Sequence, residues 1–112
     1  MAVTPLTYHI LMALADADRH GYGIIKEIGL RLGQDEEPST GALYVALQRM
    51  DGEGLITDTD PPAGEAGEAD PRRRYYRLTP AGREAARAES SRLAALLAAA
   101  RAKDLISATG ER

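Results

Sequence analysis

The chain has 112 residues, with 14 basic and 17 acidic side chains and a formal net charge of −3 at pH 7. That length fits one domain with a single small core. The absence of cysteine excludes disulfides, thiolate metal sites and cysteine chemistry.

Two amphipathic helices are predicted first along the chain. A helix over residues 5–16 is indicated by apolar residues on one helical face, namely Leu6, Ile10, Leu11 and Leu14. A second helix follows Gly21 and Gly23, and its apolar positions are Ile25, Ile28 and Leu32. Gly33 is suited to cap the C-terminal end of this second helix.

A third helix begins near Pro38, where Ser39 or Thr40 can cap its N-terminus, and it ends at Gly52 and Gly54. Its predicted buried stripe is Leu43, Ala46, Leu47 and Met50. Its opposite face carries Gly41, Tyr44, Val45 and Gln48. Two helices joined by a short acidic turn, the second with a polar and aromatic outer face, are typical of a helix-turn-helix.

Two strands joined by a loop come next, and we call them the wing. The strands are predicted over residues 55–59 and 73–78. The loop over residues 60–71 contains three prolines, two glycines and four acidic residues. On the second strand, Tyr76 and Leu78 are expected to face the core, and the arginines at the tip are expected to face solvent.

Positive charge is concentrated late in this acidic chain. Residues 71–92 hold seven arginines against two acidic residues. The run Arg72, Arg73 and Arg74 lies beside a predicted helix-turn-helix, which favours contacts to a DNA phosphate backbone. The alternative is a solvated, charged strand end.

A long alanine-rich helix is predicted over residues 80–106, with Thr79 as its N-cap and Pro80 at its first position. Its narrow apolar stripe is Leu93, Leu96, Leu97 and Ala100. This stripe could be buried within the monomer, but it follows a complete small winged helix. We therefore predict a two-fold dimer seam formed by the stripe with Leu6 and Ile10, and a flexible tail over residues 107–112.

The outer face of the third helix is the candidate groove-reading surface. We predict DNA contacts from Ser39, Thr40, Gly41, Tyr44 and Gln48, and a phosphate contact from Tyr22. Alternatives stay open at three of these positions. Thr40 could serve only as a cap, Tyr44 could belong to the core, and Tyr22 could only pack the turn before the second helix.

Three sequence stretches, in this order and spacing, resemble the PadR family of bacterial transcriptional regulators. They are HGYGIIKEI at 20–28, STGALYVALQRM at 39–50 with GLI at 54–56, and RRRYYRLTPAGR at 72–83. The resemblance implies a winged helix whose single C-terminal helix swaps across a two-fold dimer. It also implies the small subfamily, some members of which bind planar drugs or phenolic compounds in the dimer cleft.

The chain departs from the family pattern in two places. The loop at 60–71 is longer and more acidic than the usual short wing tip, and the last helix has no aromatic residue. Any effector in the dimer cleft would therefore meet leucine, alanine and Tyr8, without a tryptophan on which to stack. We expect a weakly bound small hydrophobic or phenolic effector, or none.

The sequence thus predicts an α+β, mainly helical fold with a two-stranded wing. Residues 1–79 would form the DNA-binding domain and residues 80–106 the dimerisation helix. The predicted function is a homodimeric repressor that binds an inverted repeat in double-stranded DNA. The alternative is a winged-helix module that binds protein and not DNA, which the acidic body favours.

Enzymes, metal sites and membrane segments are not indicated. Two histidines alone do not make a metal site, and no glycine loop suited to phosphate binding is present. The apolar run at 93–100 is far shorter than the roughly 20 residues that span a bilayer. The apolar start lacks the basic flank and cleavage site of a signal peptide. We expect a cytoplasmic protein without a cofactor.

Overall fold

Four α-helices and three short strands make up the part of the chain that the computed structural model describes, residues 3–62 and 73–107. The helices are α1 (Pro5–Ala13), α2 (Gly21–Leu32), α3 (Thr40–Gly52) and α4 (Pro80–Ala102). The strands are β1 (Arg19–His20), β2 (Ile56–Thr59) and β3 (Tyr75–Leu78), and Gln34–Glu36 forms one turn of 3₁₀ helix. The predicted winged helix-turn-helix is confirmed.

Side-chain caps fix the starts of α3 and α4. Of the two candidates for α3, Ser39 is the cap, because its hydroxyl accepts a first-turn backbone N–H at 3.1 Å. The hydroxyl of Thr79 does the same for α4 at 3.0 Å, and Pro80 occupies the first helical position as predicted. Each cap satisfies a backbone donor that has no partner within its helix.

The first helix is shorter than predicted, since it ends at Ala13 and not at residue 16. Nε of Arg19 donates a hydrogen bond of 2.7 Å to the Ala13 carbonyl oxygen. Leu14, just past the helix, is nevertheless buried. The apolar phase of Leu14 was therefore predicted correctly, although the residue terminates the helix.

The last helix also ends early, at Ala102 and not at residue 106. Asp104 adopts a left-handed conformation with φ of 61°, and the Leu105 N–H donates to the Ala100 carbonyl oxygen at 2.9 Å. This closure is a Schellman motif, in which glycine is usual at the left-handed position. Because an aspartate stands there in place of glycine, the end of the helix was not marked in the sequence. Of the predicted flexible tail, residues 108–112 lie outside the described residues.

The core lies between α1, α2, α3 and the sheet. Its largest fully buried side chains are Ile10, Leu11, Ile24, Ile28, Leu43, Leu47, Met50 and Ile56. The predicted inner stripe of α3 is buried throughout. In α2, Leu32 was predicted to belong to the apolar face, but this last residue of the helix is exposed. Ile24, near the start of the helix, is buried in the core.

Ile10 does not belong to a dimer seam, contrary to the prediction. Its side chain has no exposed surface within the single chain, so it cannot reach a partner. Ile10 and Leu11 both lie on the face of α1 that packs into the core, so Ile10 is covered by its own chain. Leu6, one turn earlier, packs only partly against the core and keeps some exposed surface.

The sheet contains a third strand that was not predicted from the sequence. The strand order is β1-β3-β2, with both neighbours antiparallel to β3. Tyr76 and Leu78 are buried, as expected. Tyr75 on the opposite face is buried as well, because it pairs with His20 of β1, whose ring meets the tyrosine edge-on with centroids 5.1 Å apart.

A close joint connects the start of α4 to the end of α3. The Thr79 N–H donates to the Leu55 carbonyl oxygen at 3.1 Å, and the Thr79 hydroxyl donates to the Gly54 carbonyl oxygen at 2.6 Å. A Cβ atom at Gly82 would lie only 2.1 Å from the Leu55 oxygen. Only glycine permits this approach, so the joint depends on it.

Within the described residues, only the first half of α4 packs against the rest of the chain. Gly82 and Glu89 are buried, and the Tyr8 hydroxyl lies 2.7 Å from Oγ of Ser90. The Glu89 carboxylate pairs with Arg92, whose hydrogen bonds lower the pKa of that carboxyl. Residues 91–99 are all exposed, so the second half of the helix projects from the domain.

His9 is expected to make the stability of the fold depend on pH. Burial, and then the nearby Arg31 guanidinium, lower the pKa of His9 below its ordinary value of 6.5. The folded state therefore favours the neutral ring, and the free energy of unfolding should be highest above pH 6.5 and fall as the pH drops through the folded-state pKa. Chemical denaturation between pH 8 and pH 5 measures this change.

His9→Gln is the matched variant for that measurement. It removes the titrating ring but keeps a polar side chain, so its unfolding free energy should depend less steeply on pH below 6.5 than that of the wild type. Identical pH profiles for the two proteins would show that His9 does not contribute.

Within residues 3–62 and 73–107, no helix is both long enough and apolar enough to cross a membrane.

Candidate nucleic-acid interface

The outer face of α3 is uncovered. Its inner stripe is buried, whereas the predicted groove-reading residues are exposed, namely Ser39, Thr40, Gly41, Tyr44 and Gln48. Val45 on the same face is exposed as well. A helix with one face in the core and the other free along its length can enter a groove about 12 Å wide, as the DNA major groove is.

Gly41 leaves the first turn of α3 bare. A Cβ atom built at this position would have no neighbour within 4 Å. The helix start therefore has open space around its backbone, and Ser39 uses its hydroxyl for the cap. An approaching phosphate would meet the positive end of the helix dipole here.

Tyr44 is neither a core residue nor freely solvated. Its side chain is 45 % exposed, and its ring reaches back to the N-terminus of α2. A Cβ atom at Gly21 would lie 2.2 Å from the Tyr44 hydroxyl oxygen, so glycine makes room for that ring. Gly21 was predicted only as a helix boundary, since nothing in the local sequence indicates the contact with Tyr44.

The start of α2 adds a second group of polar side chains. Nδ1 of His20 accepts the Gly23 N–H at 3.0 Å, and the His20 ring lies nearly parallel to the ring of Tyr22, at 14° and 6.4 Å between centroids. Tyr22 is 57 % exposed. Nζ of Lys26 lies 5.3 Å from the Tyr22 centroid, a distance that permits a cation–π contact.

Lys26 is a cation that was not predicted as part of the interface. Its ammonium group donates to the Glu37 carboxylate at 3.3 Å, which raises the pKa of Lys26 above its ordinary value. The amine therefore stays charged at neutral pH. Because Glu37 follows the 3₁₀ turn, this pairing between distant positions in the chain was not visible from local sequence.

The described wing arginines are exposed but have side-chain partners. Nη1 of Arg73 lies 3.1 Å from Nε2 of His20. Arg74 forms an ion pair with Asp58 of β2. Arg77 donates to the Asp18 carboxylate at 2.9 and 3.2 Å. The positive charge that the sequence concentrates here is thus partly neutralised. Arg72, also predicted to bind phosphate, lies outside the described residues.

The predicted dimer stripe is uncovered within the single chain. Leu93, Leu96 and Leu97 are 36, 55 and 44 % exposed, and Ala100 is partly exposed. These residues lie on the half of α4 that projects from the domain. Leucine side chains exposed at this helical spacing form an apolar surface that the rest of the described chain does not cover.

Solved structures with the same fold include bacterial regulators. A PadR family transcription regulator from hypervirulent Clostridium difficile matches 88 % of this chain and 96 % of its own, with 26 % identity and a TM-score of 0.72. Bacillus subtilis PadR in complex with operator DNA matches 75 % of this chain and 45 % of its own, with 26 % identity and a TM-score of 0.61. A transcriptional regulator from Clostridium thermocellum, 24 % identical, shares the fold over 86 % of both chains with a TM-score of 0.69.

A curated sequence relative is longer than this chain. It is an uncharacterized 37.1 kDa protein in a transposon of Streptomyces fradiae, 40 % identical over 91 residues. The match covers 78 % of this chain and 22 % of the relative, so the chain spans about a fifth of that protein.

The sequence pattern of the transcriptional regulator PadR-like family matches residues 10–88. That stretch runs from α1 through the helix-turn-helix and the wing into the packed half of α4. Members of this family are transcriptional regulators and not enzymes. With most of the chain matched, the protein belongs to the PadR-like family.

Proposed function

We propose that the chain is a homodimeric DNA-binding repressor that acts in the cytoplasm on an inverted repeat. The observation that carries this proposal is the uncovered outer face of α3, a helix whose Tyr44 lies against the start of α2 and which contacts strand β2 of the wing. Thr40, Tyr44 and Gln48 would face base edges in the major groove. Tyr22 and the wing arginines would hold the backbone beside it.

The exposed half of α4 supports the dimer. Its leucines would pack against the same helix of a second copy, and the small alanines around them allow close approach. A two-fold dimer presents two α3 helices, and half-sites of an inverted repeat would then lie roughly 34–36 Å apart, about one helical turn of DNA.

An effector in the dimer cleft would have little to stack on. The described part of α4 contributes no aromatic side chain, and Tyr8 is held by its hydroxyl against Ser90. We propose that a planar or phenolic compound binds there weakly or not at all, so that the level of the repressor itself sets its occupancy on DNA.

Backbone contacts from the wing are tested by their salt dependence. Arg73→Ala and Arg74→Ala should weaken binding to all duplexes alike, because phosphate contacts carry no base information. The slope of log K against log salt should fall by about 0.9 for each phosphate that the variant no longer neutralises. A dimer carries two copies of each arginine, so each substitution can remove two such contacts. Fluorescence anisotropy over a salt series measures both quantities.

Two controls make that experiment specific. Arg87→Ala removes an exposed arginine that is paired with Glu84 on α4 and is not one of the predicted phosphate contacts, so it should leave the slope unchanged. Gln48→Ala should instead alter which duplex sequence is preferred. An unchanged slope in the Arg73 and Arg74 variants would remove the wing from the interface, and no duplex binding by the wild type at low salt would favour a protein-binding module.

A further inference from the structure

Two aspartates pair with arginines of the wing, on either side of the central strand of the sheet. Asp58 on β2 pairs with Arg74, which directly precedes β3, and Asp18 beside β1 pairs with Arg77. A carboxylate on or beside each neighbouring strand thus pairs with one arginine on or beside the central strand. Both pairings place the negative charge of a protein side chain where a phosphate oxygen would otherwise bind the guanidinium group.

The two ion pairs differ in exposure and geometry. The Asp18 side chain is only 22 % exposed, and Arg77 donates to it through both Nε and Nη2. The Asp58 and Arg74 side chains are 51 and 62 % exposed, and a single Arg74 nitrogen makes the contact. The first pair joins distant parts of the fold, whereas the second can open without disturbing the core.

The exposed Asp58–Arg74 pair involves the face of the sheet that packs against α3. Asp58 stands directly opposite Tyr76 in the pairing of β2 with β3, so the two side chains share one face of the sheet. Tyr76 belongs to the core cluster that also contains the inner stripe of α3. Asp58 is therefore on the side of the sheet that α3 occupies. A carboxylate at this position would oppose the approach of a DNA phosphate.

Resting on the proposed function, we propose that Asp58 is an internal competitor for Arg74. It occupies the guanidinium group in the free protein and must give it up to a DNA phosphate on binding. The exchange lowers DNA affinity without regard to base sequence. The same ion pair keeps Arg74 oriented in the wing. It also reduces nonspecific binding of the protein to other polyanions.

The direct test is Asp58→Asn, measured by fluorescence anisotropy on 30-base-pair duplexes of random sequence at low salt. Exposed ion pairs are weak individually and the proposed dimer holds two, so we expect about three- to tenfold tighter binding. The control is Glu84→Gln, which removes the same charge from the exposed Glu84–Arg87 pair on α4 and should change affinity little.

A double-mutant cycle separates exchange from simple repulsion. In an Arg74→Ala background, Asp58→Asn should give little or no gain, since no arginine remains to be released. The proposal would be overturned if Asp58→Asn gave no gain in DNA affinity, or the same gain with Arg74→Ala as without it. It would also be overturned if Glu84→Gln gave an equal gain. Absence of duplex binding by the wild type itself would instead show that the proposed function is wrong.

Discussion

Replacing Gly41 with glutamate is expected to weaken duplex binding strongly while leaving the fold at least as stable. A side chain at this position meets nothing within 4 Å, so no clash opposes it in the free protein. Glutamate in the first turn of a helix is also favourable, by about 0.3–1 kcal/mol, because it faces the positive end of the helix dipole.

The same side chain would obstruct DNA. It would place a carboxylate between the bare start of α3 and the phosphates that line the groove, once in each half-site of the proposed dimer. Like charges brought together across an interface cost several kcal/mol, so we expect affinity to fall about a hundredfold or more. Anisotropy titration gives the affinity, and thermal unfolding gives the stability.

Gly52→Glu is the matched control, because it makes the same substitution at the other end of the same helix. Gly52 is also exposed and also has nothing within 4 Å of its Cβ position. Its glutamate should cost slightly in stability, at the negative end of the dipole, and change DNA affinity far less. Equal reductions of affinity in the two variants would show that the start of α3 has no special place in the interface.

Leu97→Asp is expected to dissociate the protein into monomers. Burying one leucine stabilises an interface by roughly 1.5–3 kcal/mol, and a two-fold axis repeats each such contact. The substitution removes that gain and places two carboxylates near each other. Light scattering at micromolar concentration should give about twice the chain mass of 12.0 kDa for the wild type and one chain mass for the variant.

Ala98→Asp provides the control on the opposite face of α4. It adds the same charge to an exposed position of the same helix, so the dimer should persist. Because dissociation can also unfold a small domain, the wild-type melting temperature should rise with protein concentration, as it does for a folded dimer. A wild-type mass of one chain at micromolar concentration would contradict the dimer.

Patterns within single elements were predicted well from the sequence. The inner stripe of α3 follows from its 3.6-residue period, and the Thr79 cap with Pro80 follows from the chemistry of a helix start. The core position of Tyr76 follows from alternation along a strand. Each of these patterns involves residues that are close together in the sequence.

What the sequence did not show depends on residues far apart in the chain. Strand β1 has two residues and exists only because β3 returns to pair with it, and the same return buries Tyr75. The Asp18–Arg77 pair joins positions 59 residues apart. Ile10 was misplaced because the periodicity of α1 identifies an apolar face but not which neighbour covers it.

The joint at Gly82 has a mechanical consequence. The hydrogen bonds of Thr79 and the close approach of Gly82 fix the start of α4 to residues 54 and 55, which follow α3. At about 1.5 Å per residue, the 23 residues of α4 form an arm roughly 35 Å long that is rigidly attached there. In the proposed dimer, the angle at which the two arms cross therefore sets the separation of the two α3 helices. A small change of that angle at the exposed leucines of α4 would therefore produce a larger displacement of the two α3 helices at the DNA.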